Sequence, residues 1–225
     1  VILQPRGSEE GWAAKLELDP GCPVSALRPL VPLDTHITLA CPANDAAQQS
    51  LDHWAADGSQ LVCLVFPDRR LVKGDSVEAV ARALASAPPQ AEAVDGSDLL
   101  VCVHGARDAR CGAEGPKLLD RLVHEQEGMA GTSFRLWGSS HLGGHRFAPT
   151  GALYPTGHWF GELDRVPGDC RLCEELASLE GGLDGEGDPL DSPCLRGHWR
   201  GRTGLSPQEA KTLVVGRREE GAGDQ

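Results

Sequence analysis

The sequence predicts an α/β protein built as two tandem halves. Three observations carry this expectation. Short apolar runs alternate with stretches of helical character. The order of those elements occurs twice along the chain. Residues 86–97, rich in Ala, Pro and Gly with Pro88-Pro89, separate the two occurrences as a linker.

The first twenty residues, through Asp19-Pro20, read as an irregular leader. Thr35 to Cys41 is a strand. Pro42 and Asn44-Asp45 then supply a turn and a helix cap, and residues 45–56 read as a helix ending near Asp57-Gly58. The apolar run Leu61 to Phe66 is a buried strand. Pro67-Asp68 turns the chain, Arg70 to Lys73 pairs back before Gly74, and Asp75-Ser76 caps a helix from Val77 to Ala85. In the second half Asp98 to Val103 is the strongest strand. Gly105 to Gly115 reads as a loop, Pro116 as a helix start, and Lys117 to Glu127 as the helix. Ser133 to Trp137 is a strand, followed by a glycine-rich loop from Gly138 to Ala148 with two histidines. Ala152 to Pro155 and Trp159 to Leu163 form a hairpin about Thr156-Gly157, and residues 169–179 a helix. Strand, helix, strand, hairpin and helix is the order of a thioredoxin-like domain. The predicted units are therefore a thioredoxin-like half over 21–90, a second carrying the site over 97–205, and a tail over 206–225. Residues 180–193 read as flexible, and Arg217 to Gln225 as a disordered end.

Composition bounds the function. Hydrophobic residues make up 40% of the 225, enough for a core, while aromatics at 4% leave Leu, Val and Ala to fill it. A net charge of -12 with no basic stripe argues against nucleic acid and against an anionic membrane surface. No apolar run reaches the length of a membrane span. The first residue is Val1 rather than Met, which allows for a removed targeting segment; the expected location is the cytoplasm or an organelle such as a chloroplast or mitochondrion. The acidic balance would complement a basic reductase surface. Eight cysteines in a chain of this length, with a core and no signal peptide, read as reduced thiols, some recruited as metal ligands.

Four donors stand out in the second half. Cys102 and Cys111 form C-x8-C; His141 and His145 form H-x3-H across Leu142-Gly143-Gly144. Each pair follows a predicted strand, so two loops from one sheet edge could converge on one centre, and Gly143 and Gly144 leave room for a bulky group. Thiolates and imidazoles suit an iron–sulfur cluster, zinc or copper. Two-histidine ligation is the arrangement of Rieske centres, and four such donors also suit tetrahedral zinc. The spacing matches neither: interleaved C-x-H boxes are absent, and 29 residues separate Cys111 from His141 where a zinc finger has about a dozen. A strand cysteine is ordinarily a small core residue, and a histidine in a glycine loop ordinarily a surface residue. At the level of spacing these readings stay open.

Longer boxes add to this. Leu99 to Pro116, with Val-Cys-Val-His-Gly and Arg-Cys-Gly at its heart, closely resembles the signature of the sucrase/ferredoxin-like family. So do Ser140 to Ala148, Gly157-His158-Trp159-Phe160-Gly161 and Trp199 to Gly204, while Phe66-Pro67-Asp68 with Lys73-Gly74 is similar to plant-type members. The resemblance implies a thioredoxin-like ferredoxin whose [2Fe–2S] cluster is held by Cys102, Cys111, His141 and His145, and an electron carrier rather than an enzyme. No carboxylate pair supports reading the sucrase part of that name as an activity. Neutral imidazole ligands would raise the potential above that of an all-cysteine cluster, and their free ring nitrogens would couple electron uptake to protonation. Arg107, Asp108 and Arg110 between the cysteines are either solvated charge or groups that hydrogen-bond the centre or dock a partner. A structural zinc module on the same four residues, and a thiol–disulfide oxidoreductase using Cys170-x2-Cys173 or Cys102 and Cys111, are the alternatives. The C-x2-C pair with Cys194 and His198 could also form a second metal site; Cys22, Cys41 and Cys63 read as core thiols. His104 is a candidate supporting group, and His158 with Trp159 a support for the fold. The expected partners are redox proteins, a reductase or an acceptor.

Overall fold

The computed structural model describes residues 1–86, 92–129, 134–179 and 187–222, with side chains through Val215. In chain order the strands are β1 (Ile2–Leu3), β2 (Leu39–Pro42), β3 (Leu61–Val65), β4 (Arg70–Gly74), β5 (Glu92–Ala93), β6 (Asp98–Cys102), β7 (Arg135–Ser139), β8 (Thr150–Tyr154), β9 (His158–Gly161) and β10 (Trp199–Arg202). The helices are α1 (Pro23–Leu27), α2 (Asp45–Trp54), α3 (Val77–Ala85), α4 (Ala109–Glu127), α5 (Leu172–Ala177) and α6 (Pro207–Ala222). The caps read from sequence close two of them: the Asn44 side chain accepts the Ala47 N–H at α2, and Ser76 accepts the Ala79 N–H at α3.

Among the described residues all ten strands share one mixed sheet, in the order β10-β9-β8-β6-β7-β2-β1-β3-β4-β5. The pairing pattern repeats within it. In the first half β2 is parallel to β1, β1 antiparallel to β3, and β3 antiparallel to β4. In the second half β7 is parallel to β6, β6 antiparallel to β8, and β8 antiparallel to β9. The halves meet where β2 pairs antiparallel with β7, Cys41 opposite Gly138.

Several expectations change. The leader is not irregular: Ile2 and Leu3 are the inner strand of the first half, with Leu39 and Cys63 on either side of Ile2. Two residues carry no periodicity, so nothing local marked them. The stretch read as a linker holds β5, paired to β4 through Arg70 and Ala93; residues 87–91 lie outside the described residues. The loop ending at Gly115 is shorter than expected. Helix α4 starts at Ala109, capped by the Asp108 side chain on the Arg110 N–H, and Pro116 lies inside it rather than at its start. The proline ring would press on the carbonyl four residues earlier, and that residue is Gly112. The end of the chain is helical through Ala222, with Ala210 buried against β10. Of the Gly/Asp/Glu-rich stretch 180–193, residues 180–186 lie outside the described residues; from 187 on, Leu190 is buried and the Ser192 hydroxyl donates to Glu175 at 2.5 Å.

Alternation along β6 divides the core. Leu99 and Val101 face α4 and α5 with Leu118, Leu122, Leu172 and Leu176. Leu100 and Cys102 face the other side, with Trp137, Ala152, Tyr154, and Leu51 of α2. At the start of β6, Asp98 is fully buried and takes both Arg135 Nε and Nη2 at 2.7 Å and the Trp137 indole N–H at 2.8 Å. This network ties β6 to β7 and so fixes the register that puts Cys102 opposite Ser139. No helix among the described residues is long and apolar enough to cross a membrane.

Candidate metal centre

Strands β6 and β7 are parallel neighbours and end together, Cys102 opposite Ser139. The chain leaving β6 runs into α4 and the chain leaving β7 carries both histidines, so the donors come from one sheet edge.

The cysteine pair is set by close backbone packing. Cys111 lies in the first turn of α4, not in a loop, and both cysteines are 1% exposed. A Cβ on Gly115 would overlap the Cys102 carbonyl oxygen, and one on Gly112 would overlap Gly105 Cα. Only glycine lets the first turns of α4 lie against the end of β6 at this distance. The two thiols then hydrogen-bond each other, and the Cys102 sulfur also accepts N–H groups of His104 and Leu142. Cys102 is pushed down to about 7, by the Cys111 thiol first and, against the opposing effect of burial, by the two N–H groups. Cys111 is pushed up, because its proton is shared with that neighbour and burial opposes a second charge, although the Thr150 N–H faces its sulfur.

The histidine loop is anchored from three sides. Ser140, just before His141, accepts the Leu39 N–H at 2.9 Å and lies 2.5 Å from the Thr38 hydroxyl. His36 Nε2 donates to the His141 carbonyl at 3.1 Å, and Arg110 donates from α4 to the His145 carbonyl at 2.7 Å. The first half therefore holds the loop as well as packing on it. Gly143 and Gly144 have φ of 96° and 62°, which favours glycine, and no atom would meet a Cβ on Gly143. The two imidazole rings lie beside each other, centroids 5.3 Å apart and planes tilted by 34°. Burial, followed by the charges of Arg107, His145, His36 and His104, lowers the pKa of His141. His145 is exposed.

The structure thus brings the four predicted donors into two close pairs. Among the described residues no three His, Cys, Asp or Glu side chains stand close enough together to hold a single metal ion. The chemistry of the set fits an iron–sulfur group: paired sulfurs receiving backbone N–H bonds, beside paired imidazoles. Thr150 supports that fit. It is 4% exposed, its N–H faces Cys111, its Cγ2 packs on Gly144, and its hydroxyl has no partner. A buried hydroxyl without a partner is costly, and a sulfur of a bound group would give it one. Thr150, Leu142 and His36 were missed in the sequence, where none stood in a donor spacing.

Other expectations resolve here. Cys170 pairs with Cys194 in a disulfide, Cα atoms 6.3 Å apart, so the expectation of reduced thiols fails at these two. Cys173 does not join Cys170: it is fully buried, its thiol donates to the Leu122 carbonyl at 3.2 Å, and burial pushes it up to about 12. A dithiol or second metal site on Cys170, Cys173 and Cys194 therefore does not form. His198 Nδ1 instead meets the Gly161 carbonyl at 3.2 Å. Cys22, Cys41 and Cys63 are buried thiols. His104 is 2% exposed and bonds the Ala13 carbonyl at 3.0 Å while its N–H faces Cys102. His158 accepts the Trp199 indole N–H at 3.1 Å, within β9 and β10. Those strands pair with each other and are two of the sequence boxes.

The sequence model described as Sucrase/ferredoxin-like matches residues 5–171. No curated protein and no solved structure matches the chain.

Proposed function

Since this chain belongs to the sucrase/ferredoxin-like family, we propose that it is an electron carrier, not an enzyme, holding a [2Fe–2S] cluster on Cys102, Cys111, His141 and His145. The observation that carries this reading is the pairing of donors: two thiols in hydrogen-bond contact and two imidazoles side by side, on segments that leave one sheet edge. A binuclear centre takes two ligands on each iron, and a cluster with cysteines on one iron and histidines on the other needs such pairs.

Bound there, the cluster would take up and release one electron. The protein's part is to set its surroundings. The N–H groups of His104, Leu142 and Thr150 stabilise negative charge on the sulfurs. Buried Leu142 and Ala148 keep water from the cysteine side, and exposed His145 leaves an imidazole edge open to a partner. The repeated strand order supports reading each half as thioredoxin-like, with plant-type character suggested by the Phe66-Pro67-Asp68 box.

Metal and sulfide analysis of purified protein tests the reading. Iron and inorganic sulfide in equal amounts, with visible absorbance that bleaches on reduction, are expected. His141→Cys and His145→Cys should each shift that spectrum. Zinc alone after reconstitution with iron and sulfide would establish the structural zinc reading instead. An unchanged spectrum in both variants would remove the histidines from the ligand set.

A further inference from the structure

The net charge of -12 points to a basic partner. The charges around the paired donors point the other way. Arg107 and Arg110 lie between the two cysteines and Arg146 follows His145; all three are exposed. Arg110 reaches the His145 carbonyl, so the two loops present one face. Arg146 and Arg200 lie over the Phe147 ring, 4.5 Å and 4.3 Å from its centre. The positive end of α4 adds to this face.

Two carboxylates beside this face are already paired with arginines. Asp108 is held by Arg110 at 3.1 Å and 2.9 Å. Glu162 lies 2.7 Å from Arg165 and 3.2 Å from Arg200. Glu17 lines a cavity of about 280 Å³ together with Arg28 and Arg107. Among the described residues no carboxylate lies within ion-pair distance of Arg107 or Arg146. In salt of physiological strength, charges beyond about 8 Å are largely screened, so the local sign governs docking and not the net charge.

We propose that this face, centred on His145 and rimmed by Arg107, Arg110 and Arg146, is where a redox partner docks, and that the partner presents an acidic patch. This rests on the electron-carrier reading. The reaction that reads it is a one-electron transfer: protein reduced with dithionite passes one electron to hexacyanoferrate(III), which becomes hexacyanoferrate(II), and the protein returns to its oxidised form.

The experiment is stopped-flow oxidation at rising ionic strength, with hexacyanoferrate(III) as the anionic oxidant and hexaamminecobalt(III) as the cationic one. Between low and physiological salt the hexacyanoferrate rate should fall by about fivefold or more, and the hexaamminecobalt rate should rise. The double variant Arg107→Glu/Arg146→Glu, checked for an unchanged visible spectrum, should reverse both trends. A wild-type hexacyanoferrate rate that is flat or rises with salt overturns the proposal without any variant. Protein that never takes an electron from dithionite fails the carrier reading instead. The face is then read by NMR in cluster-free protein with hexacyanochromate(III). Broadening of the backbone signals of residues 106–110 and 144–146 supports the cationic face, and broadening elsewhere or nowhere rejects it.

Discussion

Gly115→Ala tests whether close packing of α4 is what pairs the cysteines. In an isolated helix the change would stabilise, since alanine exceeds glycine by about 1 kcal/mol in helix interiors. Here the new methyl would overlap the Cys102 carbonyl oxygen, 3.1 Å from Val103 Cγ1. The obstacle is backbone, not a side chain that swings aside. Helix α4 must lift from β6, and overpacking of this kind costs about 1–3 kcal/mol. After the helix gain is subtracted, a net loss of up to about 2 kcal/mol remains, which can be a large share of a stability of about 5–15 kcal/mol. Lifting the helix also separates Cys111 from Cys102, so metal loading should fall more than folding does. Gly128→Ala, at the other end of α4 with no contact nearer than 3.7 Å, is the control. Urea unfolding followed by circular dichroism gives the stability, and iron per chain gives the loading. Gly115→Ala protein as stable as wild type and fully loaded would refute the argument that this glycine sets the cysteine pair.

Four further outcomes are expected. Asp98→Asn leaves the Arg135 guanidinium, 11% exposed in its side chain, without a counter-charge, and should cost about 3–5 kcal/mol in urea unfolding; a loss under about 1 kcal/mol would show that the network is not desolvated. Thr150→Val removes a buried hydroxyl with no partner, so cluster-free protein should gain about 1 kcal/mol while the reduction potential of loaded protein falls; an unchanged potential in redox titration would mean that the hydroxyl does not reach a sulfur. His158 is lowered to about 4, by burial first and Arg202 second against the opposing Asp188. The unfolded chain then binds more protons between its ordinary value and about 4, so stability is present at neutral pH and declines as pH drops through that window, by at most about 1.4 kcal/mol per unit. His158→Gln, which can still accept the Trp199 N–H, should flatten that slope between pH 5 and 6.5, and parallel slopes would rule the histidine out. The Cys170–Cys194 disulfide closes a sequence separation of 24, so Cys170→Ser/Cys194→Ser should cost about 3 kcal/mol under oxidising conditions and nothing against reduced wild type; peptide mapping without reductant checks the pairing itself.

What could be read from the sequence was what is local or carried by residue type. The caps at Asn44 and Ser76 and the apolar runs of β3 and β6 are written in neighbouring residues, and the four candidate donors in two short spacings. The family boxes are contiguous as well, which is why the family was legible before any geometry. The structure decided what depends on distant partners. Ile2 and Leu3 become a strand only because Leu39 and Cys63 flank Ile2 from far along the chain. Pro116 looked like a helix start by the ordinary rule, but Gly112 and Gly115 let α4 begin earlier and bring Cys111 into its first turn. Cys194 was not distinguishable from Cys173 as the mate of Cys170, since connectivity among cysteines depends on the fold and not on spacing. Charge divides in the same way. Composition sets the total at -12, while the sign at the donors is set by the packing that gathers Arg107, Arg110 and Arg146 beside His145, because electrostatic forces in salt reach only across neighbours that the fold creates.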